Sequence, residues 1–464
     1  MTRRQFLATA PLAAAGWSGL AAPGEMSITA RSDMKNAGNI ARAEKVKQFI
    51  NSQYERFFGV FQYLNRHPEI LFDLPQTAAR IRSEIAAIDG FEIIEGLAPS
   101  SYVAVLRNGS GPVYAYRTDL DALPIEDLST SNWRSEKSGA SHCCGHSTHA
   151  SIALGVCAAM SALRGEWAGT FWCIFQACEE AGTPELGSGA QCMIRNGLFK
   201  KLPLPKAMLA IHVEPNTPAG QLRVRKGFAF AHTSMFELTV RGVAGHGGAP
   251  YKGAKDTILL ASRIVDGIQS IVSRELNPLT ETAIVSVGSF HAGSAPNAIP
   301  AEARLGGTIR CFSPDVYQKI TRAIKRIADA HASAADIEPE RFPTLFLPPV
   351  YAPQLYNAPE IGDFLHVSYG NILPEGAVHS DEHPVTFGED FANYGLTEEK
   401  VPVFLTWMGS VDPAKFAPDG TPRQTLPGLH NGAFSPWWNP QADDTFKTGV
   451  LTQTCALMEL FGKG

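Results

Sequence analysis

Four short apolar segments, each followed by polar side chains able to bind a metal, constrain the fold of this chain most. They cover 113–116, 171–175, 208–211 and 403–407, and stretches with helical apolar spacing separate them. Continuous apolar runs that alternate with helices are typical of a mostly parallel sheet buried on both faces. In such sheets, functional groups gather beyond the carboxyl ends of the strands. The sequence therefore predicts an α/β domain with one site at that edge of the sheet.

Carboxylate and imidazole side chains follow these segments. In chain order they are Asp119 and Asp121, Glu179 and Glu180, His212 and, in a Pro/Gly-rich stretch after the fourth segment, His430. Adjacent residues leaving a strand point to opposite sides, so we expect Glu179 and Glu180 to have different roles. One would bind a metal while the other handles protons. A solvated acidic turn is the alternative, and the five apolar residues before it disfavour that reading.

A cluster of three histidines and two cysteines occupies residues 142–149, just before a predicted helix over 150–156. Within it, Cys144-Gly145-His146 places a thiolate and an imidazole two residues apart, and the glycine allows the backbone to fold tightly around a cation. Structural zinc usually takes repeated Cys-x-x-Cys or His-x-x-x-His pairs, and neither pairing is repeated here. The cluster predicts a catalytic metal site; a redox site or a structural zinc site is the alternative.

Residues 1–25 predict a twin-arginine export signal. Arg3 and Arg4 precede a weakly apolar, Ala-rich stretch over 6–22. This route leads to the periplasm and carries folded proteins, commonly with a metal already inserted. A chance-basic terminus is the alternative. The stretch is too short and too weakly apolar for a stable membrane anchor, and no later segment is apolar for long enough to span a bilayer.

The charge balance of the chain limits the class of ligand that it can bind. The 464 residues carry 40 Lys and Arg against 45 Asp and Glu, a formal net charge of −5, so no basic excess is available to bind nucleic acid. A small-molecule ligand is expected instead.

Eight cysteines could pair in an exported protein but are too few for a disulfide scaffold. Most are expected to be buried as small apolar residues.

The middle of the chain, residues 233–346, has a different pattern. Apolar spacing predicts strands over 236–240, 282–290 and 303–309, helices over 257–276 and 316–334, and a returning strand near Leu345. This order predicts a ferredoxin-like α+β domain. It would be inserted into a discontinuous catalytic domain made of residues 26–232 and 347–464.

The motifs, taken together, resemble a known family. They are Tyr-Arg-Thr-Asp-Leu-Asp-Ala-Leu-Pro at 116–124, Cys-Gly-His at 144–146, Phe-Gln-Ala-Cys-Glu-Glu at 175–180, Ile-His-Val at 211–213 and Leu-His at 429–430, with further matches at 245–246, 296–300, 307–310 and 388–391. In this order they resemble the dinuclear metal-dependent aminoacylase, carboxypeptidase and amidohydrolase family. The most similar branch contains hippurate hydrolase, auxin-conjugate hydrolase and aminobenzoyl-glutamate hydrolase. The resemblance covers most of the chain.

The resemblance implies a dinuclear site with two divalent metal ions per subunit, zinc or manganese. The implied ligands are Cys144, His146, Glu180, His212 and His430. Glu179 would be the general base, and Asp121 would support the metal-site histidine or the base. The sequence departs from the family pattern at two positions. Ser147 stands where the family often has Asp, and Cys143 stands where a small residue is usual.

For residues 233–346, the resemblance implies a lid that also forms a homodimer. His246 would approach a metal site, its own or that of the partner subunit, and stabilise the developing oxyanion. Asn297 and Arg310 would hold the substrate, because an arginine fork binds a free carboxylate in bidentate fashion. The remaining histidines near the motifs are expected to be ordinary packing or surface residues: His142, His149, His379 and His383.

The predicted reaction is hydrolysis of the amide bond in N-acyl amino acids, aryl-acyl ones included, or in dipeptides with a free carboxylate. Two cations about 3.5 to 4 Å apart would polarise the acyl carbonyl and lower the pKa of a bound water, while Glu179 takes the proton and passes it to the leaving amine. One alternative is a cysteine hydrolase with Cys143 or Cys144 as nucleophile. Another is a non-catalytic periplasmic metal-binding protein, and the presence of both Glu179 and Asp121 argues against it.

Overall fold

The computed structural model describes residues 37–350, 352–381, 383–426, 428 and 442–462. The predicted export signal and His430 lie outside these residues. The helices are α1 Ala37–Arg66, α2 Pro75–Ala86, α3 His146–Ala162, α4 Gly189–Arg195, α5 Leu198–Lys201, α6 Thr257–Ser270, α7 Pro314–Ala334, α8 Pro359–Ile372, α9 Ala392–Gly395 and α10 Ala442–Phe461. The strands are β1 Phe91–Ala98, β2 Ser101–Asn108, β3 Val113–Asp119, β4 Gly169–Gln176, β5 Met208–Pro218, β6 Leu222–Val224, β7 Gly227–Phe230, β8 His232–Arg241, β9 Gly245–His246, β10 Ala283–Ala292, β11 Ala298–Ile299, β12 Glu302–Cys311, β13 Thr344–Phe346, β14 Leu355–Asn357, β15 Val378–Ser380 and β16 Val403–Val411.

The catalytic domain is built on an eight-stranded sheet in the order β1-β2-β4-β3-β5-β16-β6-β15. Its four central strands, β4, β3, β5 and β16, are mutually parallel and are the four predicted apolar segments. The outer pairs β1-β2 and β2-β4 are antiparallel. The predicted α/β class with a parallel-rich sheet is therefore confirmed.

Two apolar cores cover the faces of this sheet. Along β4, Phe171, Cys173 and Phe175 pack toward α1, α3 and α10, whereas Trp172 and Ile174 pack toward α4, α5 and α9. Successive residues of a strand alternate between faces, so an uninterrupted apolar run supplies both cores. Helix α3 packs against both α1 and α10, and nearly all of its residues are buried.

The lid has its own sheet and its own core. Strands β10, β12, β8 and β13 pair antiparallel in that order, with α6 and α7 packed on one face. The element order β8-α6-β10-β12-α7-β13 is the expected ferredoxin-like arrangement. The predicted helix over 257–276 ends as an α-helix at Ser270 and continues as a π-helix over Ile271–Glu275.

All eight cysteines are buried free thiols, as the sequence suggests for most of them. Cys157 on α3 and Cys173 on β4, for example, belong to one apolar core. Among the helices that the structure describes, none is long and apolar enough to cross a bilayer.

Candidate metal centre

The Cys144-Gly145-His146 turn leads directly into α3, whose first residue is His146. Gly145 has a φ of +94°, in the left-handed region, and a Cβ there would lie 2.3 Å from Val213 Cγ2. Both the backbone conformation and the close approach of β5 therefore require glycine. As the sequence predicts, the glycine allows Cys144 and His146 to face the same point.

Four of the five predicted ligands lie together, and the fifth, His430, is outside the described residues. Cys144 Sγ is 3.5 Å from His212 Nε2, and both atoms lie within 4.8 Å of a ring nitrogen of His146. The Nε2 atom of His146 is 3.7 Å from a carboxylate oxygen of Glu180. A thiol, two imidazoles and a carboxylate in one buried cluster suit zinc, and the imidazoles and carboxylate also suit manganese.

The surroundings of His146 fit a cation. Its Nδ1 donates to the backbone carbonyl of Asp121 at 2.8 Å, while its buried Nε2 has no hydrogen-bond partner among the described residues. Burial alone would lower the pKa of His146, but Asp119, Asp121 and Glu180 raise it to about 10. Excess negative charge at this point therefore attracts positive charge, as a divalent metal site requires.

His212 is neutral. Burial, then the neighbouring His149, lower its pKa well below the usual value. Its Nδ1 donates to the backbone carbonyl of Val213 at 2.7 Å, which leaves the Nε2 lone pair directed toward Cys144. Strand β5 continues through His212 to Pro218, so this side chain projects from within the strand and not from beyond its end. A neutral imidazole fixed in this tautomer is a ready metal ligand.

Asp121 organises the turn that carries the two glutamates. Cys178 has a φ of +57°, which is uncommon for a residue with a side chain. The turn presents the backbone N–H groups of Glu179 and Glu180 to the two oxygens of Asp121, at 3.0 and 3.2 Å. Asp121 Oδ1 is also 3.5 Å from His146 Nδ1. This position agrees with the supporting role that the resemblance implies.

The expectation that Glu179 and Glu180 point to opposite sides is wrong. Both carboxylates reach His146 Nε2, at 3.8 and 3.7 Å. Strand β4 ends at Gln176, so the glutamates lie in the turn beyond it, where strand alternation no longer applies. They differ in a second contact, because Glu179 Oε1 accepts a hydrogen bond from the backbone N–H of Asp390 at 3.2 Å. Burial, then Glu389 and Glu180, raise the pKa of Glu179 well above its usual value.

Asp119, which follows the first apolar segment, and His149, expected to be an ordinary packing or surface residue, also contact the site. Asp119 Oδ1 accepts a hydrogen bond from His149 Nδ1 at 2.8 Å, and His149 Nε2 accepts one from the backbone N–H of Val213 at 2.9 Å. His149 is therefore not the ordinary packing histidine that we expected. Its separation of three residues from His146 puts both on one face of α3, a signal that the sequence contained.

Ser147, one of the two departures from the family pattern, faces away from the cluster. Its hydroxyl donates to Asn65 Oδ1 on α1 at 2.9 Å. Cys143, the other departure, is fully buried, and burial raises its pKa to about 11. Neither residue is in the cluster of candidate ligands.

A cavity of about 460 Å³ opens over the cluster, between the catalytic sheet and the lid. Its polar floor consists of Cys144, Glu179, Glu180 and His212. Its walls are mainly apolar and include Phe230, Met235, Phe387 and Trp407. The rings of Phe230 and Trp407 stack with their centroids 4.8 Å apart. Three of the predicted ligands and the predicted base thus line one substrate-sized space.

The lid brings one of its three predicted substrate residues into this cavity. Arg310 on β12 lines it and donates to Thr233 Oγ1 at 2.5 Å. His246 and Asn297 are exposed and do not line it. They lie together on the β9-β11 ribbon, where the Asn297 carbonyl accepts from the Gly247 N–H at 2.8 Å.

A buried cluster of thiol, imidazole and carboxylate groups with a second glutamate beside it, on the central parallel strands and the turns that follow them, defines a metal-dependent hydrolase. The chain belongs to peptidase family M20/M25/M40, whose family model matches residues 115–430. The resemblance drawn from the motifs is thereby confirmed.

Named relatives and a solved structure agree with this family assignment. The chain is 31% identical to N-acetylcysteine deacetylase of Bacillus subtilis over 366 residues, 77% of this chain and 89% of that protein. It is 28% identical to an IAA-amino acid hydrolase of Arabidopsis thaliana over 375 residues, 78% and 81% of the two chains. The crystal structure of a dinuclear metal-binding M20 peptidase from Bacillus subtilis superposes with a TM-score of 0.69 at 24% identity, covering 89% of this chain and 99% of the other. That likeness supports the fold.

Proposed function

We propose that this protein hydrolyses the amide bond of N-acyl amino acids, aryl-acyl ones included, or of dipeptides with a free carboxylate. One observation carries the proposal: Glu179 lines the same cavity as Arg310 and three of the candidate ligands, Cys144, Glu180 and His212. The names of the relatives point to the same chemistry, since one is a deacetylase of an N-acetylated amino acid and another a hydrolase of an amino acid conjugate.

The metal ions would be held by the predicted set, namely Cys144, His146, Glu180, His212 and His430. Two divalent ions, zinc or manganese, suit these donors. When bound, they supply a Lewis acid for the acyl carbonyl and lower the pKa of water.

Glu179 moves the proton. Its Oε1 is fixed by the Asp390 N–H, and its Oε2 faces the cluster. In the proposed reaction, Glu179 accepts a proton from the attacking water and then donates it to the nitrogen of the leaving amine. Burial raises the pKa of Glu179, whereas the bound cations would lower it, so the two influences oppose each other at the base.

Arg310 and the apolar walls orient the substrate. The Arg310 guanidinium, anchored on Thr233, offers a fork for the free carboxylate. Phe230, Met235 and Trp407 form the apolar surface that an acyl chain or aryl ring would contact. This arrangement would place the amide over Glu179.

We also propose that the protein forms a homodimer through the lid, and the positions of two lid residues support this. His246 and Asn297 lie outside the cavity of their own chain but share one exposed ribbon. In a symmetric dimer formed through the lid, this ribbon would enter the cavity of the partner subunit, where His246 would stabilise the oxyanion and Asn297 would bind substrate.

We also propose export to the periplasm, on the paired arginines and the Ala-rich stretch after them. Replacing Arg3 and Arg4 by lysine in the full chain should retain the protein in the cytoplasm of a twin-arginine-competent bacterium. Cell fractionation measures this, and unchanged export would contradict the proposal.

The cysteine-nucleophile alternative is the weaker one. Burial raises the pKa of Cys144 well above its usual value, and Glu180 and Glu179 raise it further. Burial also raises the pKa of Cys143 to about 11. Buried thiols with a raised pKa are poor nucleophiles, because the thiolate form is disfavoured.

A mass-spectrometric screen of N-acyl amino acids and dipeptides tests the proposal, with the metal-loaded protein and its Glu179→Gln variant compared. We expect the variant to retain its metal while its kcat falls about 10²- to 10⁴-fold. Loss of metal from this variant would contradict the role of Glu179 as base. If neither protein cleaves any substrate while metal stays bound, the non-catalytic alternative is favoured.

A further inference from the structure

A fully buried arginine lies beneath the metal centre, and the proposed reaction does not use it. Arg117 on β3 donates through Nη1 to Asp119 Oδ2 at 2.8 Å and through Nη2 to Asp390 Oδ1 at 2.8 Å. Its Nε donates to Gln176 Oε1 at 3.1 Å, and its Nη1 lies 3.2 Å from Glu389 Oε1. All five side chains are buried. One guanidinium thus binds groups from three parts of the chain: β3 itself, the end of β4 and residues 389–390.

The first branch of this network runs to the histidines. Asp119 binds Arg117 through Oδ2 and His149 through Oδ1, and its Oδ2 lies 3.9 Å from His146 Nε2. His149 in turn accepts from the Val213 N–H, next to His212. Arg117 therefore fixes the Asp119 carboxylate, around which the imidazoles of His146 and His149 are arranged.

The second branch runs to the base. Asp390 binds Arg117 through its side chain and Glu179 through its backbone N–H, at 3.2 Å. The Asp390 carboxylate also accepts from the Ala190 N–H and from Gln176 Nε2, both at 2.9 Å. The backbone of Asp390 is thereby held at the place where its N–H meets the Glu179 carboxylate.

Burying a network of charged groups costs free energy, so such a network is a poor way to stabilise a fold. Replacing a buried ion cluster by apolar side chains of similar volume is often neutral or stabilising, so folding alone does not account for it. We propose that Arg117 is a positioning residue that couples the two sides of the metal centre: it holds the histidine side through Asp119 and the Glu179 carboxylate through Asp390. The second half of this inference rests on the proposed function.

The planar fork of arginine is essential to the proposed coupling. Arg117 meets Asp119, Asp390 and Gln176 with three different nitrogen atoms, in three directions. A lysine ammonium keeps the charge but concentrates its donors on one atom, so it cannot bridge the same groups. The Arg117→Lys variant therefore tests geometry while it preserves charge.

The experiment compares Arg117→Lys and Asp390→Asn with the wild type. A control variant, Tyr369→Phe, removes a buried hydroxyl that hydrogen-bonds Gln453 Nε2 at 2.9 Å in the helical layer. Zinc affinity is measured by competition with a chromogenic chelator. The constants kcat and KM are measured on the substrate found by the screen, and stability is measured by thermal unfolding. For Arg117→Lys we expect zinc affinity and kcat each to fall about 10- to 100-fold. For Asp390→Asn we expect a similar fall in kcat, with zinc affinity and KM unchanged.

The control should lose thermal stability without a change in zinc affinity or kcat. The inference is overturned if folded Arg117→Lys keeps zinc affinity and kcat close to the wild type, or if only KM rises in both variants. Should Arg117→Lys fail to fold, the kcat of Asp390→Asn decides, and a normal kcat overturns the inference. A wild type that cleaves nothing would refute the proposed function, whereas the zinc affinity of Arg117→Lys would still test the coupling.

Discussion

Cys144 Sγ lies 3.5 Å from His212 Nε2, although 68 residues separate the two in sequence. The turn before α3 supplies the sulfur and the interior of β5 supplies the imidazole. This contact joins two motifs that the sequence presents separately, so removal of the sulfur should affect the whole metal centre.

Cys144→Ala should bind fewer than two metal ions per chain and lose most hydrolytic activity, because the variant lacks the sulfur ligand. We expect a fall in activity of about 100-fold or more. Elemental analysis by mass spectrometry, together with the hydrolysis assay, measures both quantities. Cys143→Ala is the matched control, since this neighbouring buried thiol lies outside the cluster, and it should keep its metal. A fully loaded and active Cys144→Ala variant would show that the thiol is not a ligand.

Gly145→Ala should destabilise the fold. The new Cβ would lie 2.3 Å from Val213 Cγ2, in a backbone conformation with a φ of +94°. Backbone strain of this kind costs about 1 to 3 kcal/mol, and the steric clash adds to it. Urea unfolding of the protein measures the loss. Gly165→Ala is the control, because a Cβ there meets nothing within 4 Å, and an equal loss in both variants would contradict the explanation.

Glu214→Gln should change how stability depends on pH. Burial raises the pKa of Glu214 to about 7 in the folded protein, above its usual value of 4.5. The folded state therefore binds the proton more tightly, and this contribution to stability is lost as pH rises through about 7. Between pH 5 and 8 the variant should gain stability relative to the wild type, by up to about 3 kcal/mol. Urea unfolding at several pH values measures this, and a pH-independent difference would contradict it.

Mixed dimers should reveal whether His246 acts across the subunit interface. We expect His246→Ala and Glu179→Gln to be nearly inactive alone. After dissociation and mixing, a mixed dimer would hold one site with an intact Glu179 and an intact His246 from the partner subunit, so about a quarter of wild-type activity should return. No recovery, or a monomer in analytical ultracentrifugation at micromolar concentration, would count against the proposed dimer.

The central strands and the ligand motifs were accessible to prediction because they are local patterns. An apolar run followed by an acidic or imidazole side chain marks the end of a buried strand, and Cys144-Gly145-His146 carries its own geometric requirement in the glycine. The turn holding Glu179 was not accessible in the same way. Its shape depends on a positive φ at Cys178, and cysteine gives no signal of that conformation.

The buried network around Arg117 was inaccessible for a different reason. Arg117 and Asp390 are 273 residues apart, and neither of the two motifs in which they lie indicates a contact with the other. Their contact requires that β3 and the segment before α9 meet, which depends on the assembled sheet. The same holds for the lid, because the positions of His246, Asn297 and Arg310 in the sequence do not show that only Arg310 lines the cavity of its own chain.

The pairing of β16 with β5 has a consequence for the order of assembly during synthesis. These neighbours in the middle of the catalytic sheet lie on either side of the lid in the sequence, and Trp407 pairs with His212. A nascent chain that has emerged as far as the lid therefore has an apolar strand edge on β5 with no neighbour. The lid sheet, by contrast, is complete by Phe346. The lid can thus fold on the ribosome while the metal pocket stays open on one side until β16 arrives, so metal loading into the finished pocket follows synthesis of nearly the entire chain.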